Sequence, residues 1–464
     1  MLFEFTVSNF RSFSTPQTLS MAASAKFRDH LDHRIPIEGL EESLLKACVL
    51  YGGNGAGKSN LVKAMKFAQD LVLFGVGPIK RLASDQFRFT EDGVQPTSFE
   101  FVYLYDDRLF DYRFSIQDEV VVEEELSCWT SSGKEKEVFS RRLDEITVGG
   151  NLKDIGDPDN TSRDALKALL QLGTRANQLL LNKIVDLDEK KRGRILNQAS
   201  KWFEESLQVF QPHSAAPMFP SFASFGDLLS MLDEDKSFTS YAEAFLQAVG
   251  TGIEKLHVDK TPIAADQLPK ELVNVLQSTD PEMAVITSGS GMDFKLDEKD
   301  SSKIIRRNLI THHFVNGKEY TLPFSSASDG TQRFLEMLPA PYREKEDGTA
   351  MKVFVIDEFD RSLHPLLSHS LLKFFVECGA EASQQIIVTT HETHLLDRDL
   401  LRRDEIWFVE KDENQSTQLF SLSDFKIRND LRLEKGYIQG RFGGIPMIQS
   451  SYMEKLKDIL KSQP

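Results

Sequence analysis

The sequence predicts an α/β fold with a mixed sheet, split by a mainly helical insertion. Three observations point there. A short apolar strand pattern, Lys46 to Tyr51 (KACVLY), runs into a glycine-rich turn and then a helix pattern from Ser59 to about Phe74. Further on, strand and helix patterns alternate again, through KVFVID, a helix, QIIVTT and EIWFVEK. Between these stretches, residues 160–282 carry apolar residues at helical spacings. Strand–helix alternation on both sides of a helical interruption is the pattern of one α/β sheet divided by an insertion.

Each element follows from its own residues. Residues 2–7 alternate, with Phe3, Phe5 and Val7 on one face, which predicts a strand. SFEFVYLY and LFDYRFSI flank a turn at Asp106-Asp107-Arg108, VVVEEELSCW continues the antiparallel run, and EVFSRR adds a further strand. In the middle, Leu166, Leu169 and Leu170, and later Trp202, Phe203, Leu207 and Phe210, sit at helical spacings. Pro212, Pro217 and Pro220 interrupt this stretch and no heptad persists, so the insertion is expected to be compact and not a coiled coil. From 284 the chain is β-like again (MAVITSG, MDFKL, NLITHHFV). The expected organisation is therefore 1–150, a first half carrying the glycine loop and antiparallel strands; 151–283, the helical insertion; and 284–464, the second half.

Composition narrows the function. The chain has 464 residues, 40% hydrophobic and 27% charged, enough for a sizeable core. Its formal net charge of −16 argues against a surface coated for non-specific nucleic-acid binding. Cys48, Cys128 and Cys378 lack metal-ligand spacing and fit a reduced interior. No apolar run is long enough to cross a bilayer, and MLFEFTVSNFRSF is not a secretory signal, so a cytoplasmic protein without a membrane partner is expected.

The chemistry centres on Gly52-Gly53-Asn54-Gly55-Ala56-Gly57-Lys58-Ser59, which fits G-x-x-x-x-G-K-[ST] between a strand and a helix. Small residues let backbone N–H groups wrap phosphates, and the helix N-terminus adds positive potential. Lys58 neutralises β/γ-phosphate charge and the Ser59 hydroxyl ligates Mg²⁺. Val353-Phe354-Val355-Ile356-Asp357-Glu358 reads as a buried strand with two carboxylates at its C-terminal edge, where open α/β sheets bind ligands. Asp357 is the candidate Mg²⁺ holder and Glu358 the candidate base for the attacking water. His391 follows the next strand, the place for a γ-phosphate sensor, with His394 a bystander on the helix after it. Ser325 to Arg333 precedes the helix FLEMLPA, so Ser328 and Gly330 can offer hydroxyl and N–H donors to an anion, although an ordinary N-cap has the same composition.

These pieces, in this order, resemble the ABC ATPases: Walker A, signature, Walker B, D-loop and switch histidine. Ser328-Asp329-Gly330-Thr331 looks like a divergent signature, with Asp329 where Gly is common and Thr331 where Gln or Glu is common. Ser362-Leu363-His364-Pro365 resembles the D-loop. The resemblance implies an ABC-type P-loop ATPase head that binds ATP and Mg²⁺, with the P-loop of one copy and the signature of another enclosing one nucleotide, and so at least a homodimer. Val7-Ser8-Asn9-Phe10-Arg11-Ser12-Phe13, the run Lys58-Ser59-Asn60-Leu61, and Gly436-Tyr437…Gly440-Arg441-Phe442-Gly443…Pro446 look like the bacterial ATPases of abortive-infection and overcoming-lysogenisation-defect type, relatives of recombination-repair and chromosome-maintenance ATPases. That likeness adds Arg11 and Asn60 to the nucleotide-binding candidates.

Size and layout are similar to the ATPase subunit of the phage-defence system PARIS, which partners a Toprim nuclease. This implies a separate effector protein and a phage-encoded trigger. Asp397-Arg398-Asp399 is read as a solvated face of the helix after His391 and not as part of a nuclease. Two other readings stand beside this one. A DNA-clamping maintenance ATPase draws on the clusters Lys190-Lys191-Arg192-Gly193-Arg194 and Lys303…Arg306-Arg307, which fit solvated surface equally. A nucleotide switch with almost no turnover needs only the P-loop. Gln86 is a candidate for the Q-loop position.

Overall fold

In the computed structural model, described residues are 1–79, 82–89, 95–129, 133–150, 161–171, 173–211, 228–270, 273, 276, 285–287, 291–297, 300, 303–342, 351–378, 384–426, 432–444 and 459. They fall into two compact units. Leu2–Ser200 and Val388–Pro464 form the outer unit; Lys201–Ile387, with Met1, form the central one. The segment 151–283 contributes to both.

The outer unit opens with β1 (Leu2–Ser8) and β2 (Gln17–Ser20), then β3 (Arg34–Pro36), β4 (Ser43–Leu45) and β5 (Ala47–Gly52), which leads through the glycine loop into helix α1 (Lys58–Phe74). Strands β6 (Thr97–Tyr105), β7 (Arg108–Gln117), β8 (Val120–Trp129), β9 (Glu135–Arg142) and β10 (Glu145–Val148) follow. They join β1 and β2 in a seven-stranded sheet of order β10-β9-β8-β7-β6-β1-β2, antiparallel throughout. The alternation is as expected: Phe3, Phe5 and Val7 are buried while Glu4 is exposed. Asp106, with φ of 52°, makes the β6–β7 turn. Phe67 of α1 meets Phe10 at 5.3 Å and Phe99 at 5.8 Å between ring centroids, fixing the helix on this sheet. Helices α2 (Thr161–Gln171), α3 (Leu180–Val185) and α4 (Arg194–Lys201) follow.

The central unit begins as α4 ends in a single π turn, Trp202–Ser206, and continues into β11 (Leu207–Phe210). This corrects the helical reading of Leu207 and Phe210. Both lie in a strand paired parallel with the later strand at Val353–Ile356, and an extended Leu-Gln-Val-Phe run fits that edge better than the 3.6-residue period it mimics. Helices α5 (Leu228–Glu234) and α6 (Lys236–Ala248) follow; Pro212, Pro217 and Pro220 lie outside the described residues. Strands β12 (Lys255–Ile263), β13 (Val285–Thr287), β14 (Met292–Leu296), β15 (Ile304–Val315) and β16 (Lys318–Pro323) form a five-stranded antiparallel sheet of order β12-β15-β14-β13, with β16 also on β15. Its core gathers Leu276, Phe294, Leu296 and Ile304. Helix α7 (Asp329–Met337), β17 (Val353–Ile356) and helix α8 (Pro365–Cys378) complete the unit.

Strand β18 (Gln385–Thr390) carries the unit boundary between Ile387 and Val388. Within the outer unit, its second half is followed by β19 (Ile406–Lys411), parallel to β5, and β20 (Thr417–Ser421), antiparallel to β19, which makes this sheet mixed. Helix α9 (Leu433–Ile438) follows β20. Among the described residues no helix is long and apolar enough to cross a membrane. Cys48 and Cys128 are buried free thiols.

Candidate functional site

The glycine loop is built for backbone curvature. Gly55 has φ of 77° and Gly57 of 120°, values that L side chains avoid. A Cβ on Gly57 would strike Oγ1 of Thr417, and one on Gly52 would strike the carbonyl oxygen of Val409. Thr417 also pins the loop: its hydroxyl donates to the carbonyl of Ala56 (2.8 Å) and meets Oγ of Ser12 (2.8 Å). Asn54 and Gly55 face solvent, and Ala56 is buried. The concave, N–H-rich turn ahead of α1 fits a phosphate chain.

Lys58 is buried, yet its ammonium donates to carbonyls of the loop itself, Gly52 at 2.6 Å and Gly53 at 3.3 Å, with Nδ1 of His391 at 3.4 Å. The outer unit thus brings the P-loop lysine and the histidine after β18 together. Ser59 follows at the second residue of α1 and is half-buried. Asn60 turns its amide to Oγ of Ser12 (2.8 Å). Arg11, with φ of 50°, pairs with Asp85 at 2.8 Å. Gln86 lies beside Asp85, half-buried, in the bend after it.

The central unit gathers the remaining candidates. Asp357 directly follows β17 and is almost fully buried, its N–H donating to the carbonyl of Phe210 (2.9 Å). Glu358 has φ of 50° and a side chain 41% exposed, with Arg361 at 3.4 Å. Buried Arg333 donates to the carbonyl of Asp357 (3.0 Å); burial lowers its pKa, opposed by Glu336. Ser328 is the N-cap of α7 and accepts from the N–H of Thr331 (3.2 Å), so Asp329, Gly330 and Thr331 already belong to the helix. Gly330 lies against the carbonyl oxygen of Ser362, which has φ of 60°. A Cβ there would overlap it, so the signature glycine and the D-loop constrain each other.

The family described as "AAA domain, putative AbiEii toxin, Type IV TA system" matches residues 48–397, from the strand before the glycine loop to beyond His391. The chain belongs to this family. As a member of this AAA-domain family, with a strand, glycine loop and helix leading into a mixed sheet, it has the fold of a P-loop nucleotide-binding ATPase. No curated protein matches it. Among solved structures it is similar to the SMC head domain from Thermotoga maritima (12% identity, TM-score 0.35, covering 92% of this chain and 99% of that one). It is also similar to an SmcHead bound to the C-winged helix domain of ScpA (11%, 0.36, 94% and 99%) and to the recombination mediator protein RecF-ATPrS in the RecFOR pathway (13%, 0.34, 90% and 98%).

Other expectations change. The stretch after His391 is no α-helix: Thr393–Leu395 makes one 3₁₀ turn containing His394, and Asp397 to Asp399 lie in the turns beyond it. Asp397 there accepts the N–H of Asp399 (2.9 Å), which a continuing helix would exclude. The basic clusters are partly internal. Arg192 is buried and donates to the carbonyls of Val185 (2.9 Å) and Leu187 (3.1 Å), while Arg307 makes a buried bidentate pair with Asp293 (2.7 and 2.8 Å). Thr417 had no sequence signal; Ser12, Arg333 and Ser362 lay inside motifs read from the sequence, but nothing there signalled the contacts that they make. In the closing glycine-rich segment, Tyr437 donates to the carbonyl of Gly444 (2.9 Å) and stacks on Phe408 at 5.5 Å, and Gly444 donates to Glu410 (3.0 Å). Pro446 lies outside the described residues.

Proposed function

We propose that the chain binds ATP with Mg²⁺ and hydrolyses it to ADP and phosphate as a homodimer or larger homo-oligomer. The observation that carries this is Lys58, whose ammonium rests on loop carbonyls that phosphate oxygens can replace, with His391 at 3.4 Å. Gly52, Asn54, Gly55, Ala56 and Gly57 supply the phosphate cradle; Asn60 supports it through Ser12, and Arg11, paired with Asp85, is a further nucleotide-binding residue of this proposal. Ser59 and Asp357 are the residues that would hold Mg²⁺, which would supply charge neutralisation at the phosphates. Glu358 accepts the proton of the attacking water, and His391 donates to the γ-phosphate. Ser328 and Gly330 serve the nucleotide of a second copy.

The biological reading rests on that activity. The family's association with abortive infection and toxin–antitoxin systems supports a sensor and scaffold of anti-phage defence that holds a separate Toprim-type nuclease and releases it on a phage trigger. The buried Arg192 and Arg307 favour this over a DNA clamp, since they withdraw cations from both basic clusters.

The experiment is purification of Glu358→Gln from native cells in ATP, followed by mass spectrometry. Bound ATP, negligible phosphate release and a stoichiometric nuclease support the proposal. Nucleic acid without a protein partner replaces it with DNA maintenance, and wild-type turnover by Glu358→Gln removes the base assignment.

A further inference from the structure

A second group of ligating side chains lies in the outer unit, ahead of β3. His30 sits in the left-handed region (φ 46°, ψ 57°) and leads into a 3₁₀ turn, Leu31–His33. That backbone is uncommon for a non-glycine residue and needs outside support. Fully buried Arg402 supplies it, donating to the carbonyls of Asp29 (2.7 Å) and Ser24 (3.3 Å) while bidentate on Asp404 (2.9 Å twice). The result brings His30, Asp32 and His33 together. The two rings lie 4.7 Å apart, and one nitrogen of each and a carboxylate oxygen of Asp32 are all within 4.8 Å of one another.

The far sides of both rings are already engaged. Nε2 of His30 is 2.7 Å from the carbonyl oxygen of Arg398, which only accepts, so that nitrogen carries the proton. Nδ1 of His33 is 3.0 Å from Oε2 of buried Glu405, an oxygen that also accepts the N–H of Arg402 (2.7 Å), so Nδ1 donates. With these nitrogens as donors, the ring nitrogen left to bind a metal is Nδ1 in His30 and Nε2 in His33. A carboxylate and a backbone carbonyl orienting two imidazoles from behind is the support that metal-ligating histidines have.

We propose that Nδ1 of His30, Nε2 of His33 and an oxygen of Asp32 bind a zinc-type divalent transition metal, separate from the nucleotide's Mg²⁺. Two imidazoles and one carboxylate suit Zn²⁺ and not a hard cation that takes oxygen ligands alone. Bonds of about 2.0–2.2 Å in a tetrahedral site put donors roughly 3.3 Å apart, a spacing inside the 4.8 Å limit of this cluster, and exposed Asp32 can adjust to it. Lys46, whose charged neighbours are Asp32 and Glu405, is the competing cation. A bound metal would tie the 30–33 turn to the 398–405 segment through Arg398 and Glu405.

The test is titration of nucleotide-free protein with Zn²⁺ in excess Mg²⁺, against a chelating dye. One Zn²⁺ per chain is expected, with unchanged binding in Lys58→Ala. His30→Asn, which tolerates the left-handed backbone, and Asp32→Asn at the exposed ligand should each weaken binding tenfold or more. Folding is checked by circular dichroism, and Co²⁺ should give the strong visible bands of a four-coordinate site. Equal Zn²⁺ affinity in wild type and both variants, or no stoichiometric uptake, overturns the proposal.

Discussion

Nζ of Lys58 and Nδ1 of His391 face each other at 3.4 Å, although 333 residues separate them in sequence. An ammonium only donates, so Nδ1 accepts and the imidazole proton belongs on Nε2. That leaves Nε2–H as a donor for an anion that Lys58 also attracts. His391→Ala should therefore keep ATP affinity within a few-fold but lower turnover about a hundredfold. Lys58→Ala should abolish binding itself. Comparing nucleotide binding with phosphate release separates the two. Loss of binding in His391→Ala as complete as in Lys58→Ala would make the histidine a holder of the lysine and not a sensor.

Thr417 acts on the same loop from β20. Its hydroxyl bonds the carbonyl of Ala56 and Oγ of Ser12, and its side chain fills the space a Gly57 Cβ would take. Thr417→Val keeps the shape and removes both hydrogen bonds, leaving buried acceptors without that donor, a cost of about 1–3 kcal/mol. The expected result is a lower melting temperature and weaker ATP binding, with turnover at saturating ATP close to wild type. A turnover defect at saturating ATP would mean that Thr417 does more than shape the cradle.

Gly330 and Ser362 make a parallel case in the central unit. Ser328→Ala removes an N-cap and should cost about 1 kcal/mol. Gly330→Ala looks milder, yet its Cβ would overlap the Ser362 carbonyl, and forcing two backbones apart costs roughly 1–3 kcal/mol. The alanine at 330 should therefore be the more destabilising variant in chemical unfolding. The reverse order would show that the D-loop yields easily at Ser362.

These residues also show what could be seen in sequence. The glycine loop, Lys58 and the carboxylates after β17 were legible because each lies within a few residues of the strand or helix that positions it. The alternation of Phe3, Phe5 and Val7 was legible because a two-residue period reports the buried face directly. Leu207 and Phe210 misled because a short apolar run fits two periods, and the partner that makes it a strand, β17, lies about 145 residues later. Thr417 was invisible, and Ser362 was seen only as part of the D-loop, because their contacts come from where another segment arrives, one as a side chain and one as a carbonyl. His391 was legible only through the order of motifs; its contact with Lys58 is a tertiary fact.

Asp111 in β7 gives a pH test independent of nucleotide. One of its carboxylate oxygens is buried without a hydrogen-bond partner among the described residues. Burial pushes its pKa from 3.8 up to about 7, with Glu100, Glu135 and Glu125 adding to the rise and Arg113 opposing it. Between these two values the folded state holds a proton that the unfolded chain has released, so stability falls as pH rises through that window, and the full cost is present above pH 7. Asp111→Asn is neutral throughout and escapes this cost. Because Asp111 is partly exposed, solvent screening reduces the gain, and a stabilisation of about 1 kcal/mol at pH 8 is expected. Urea unfolding at pH 5 and pH 8 should show the difference between variant and wild type widening with pH. A constant difference would mean that Asp111 stays ionised across the range and that its buried oxygen is solvated in solution.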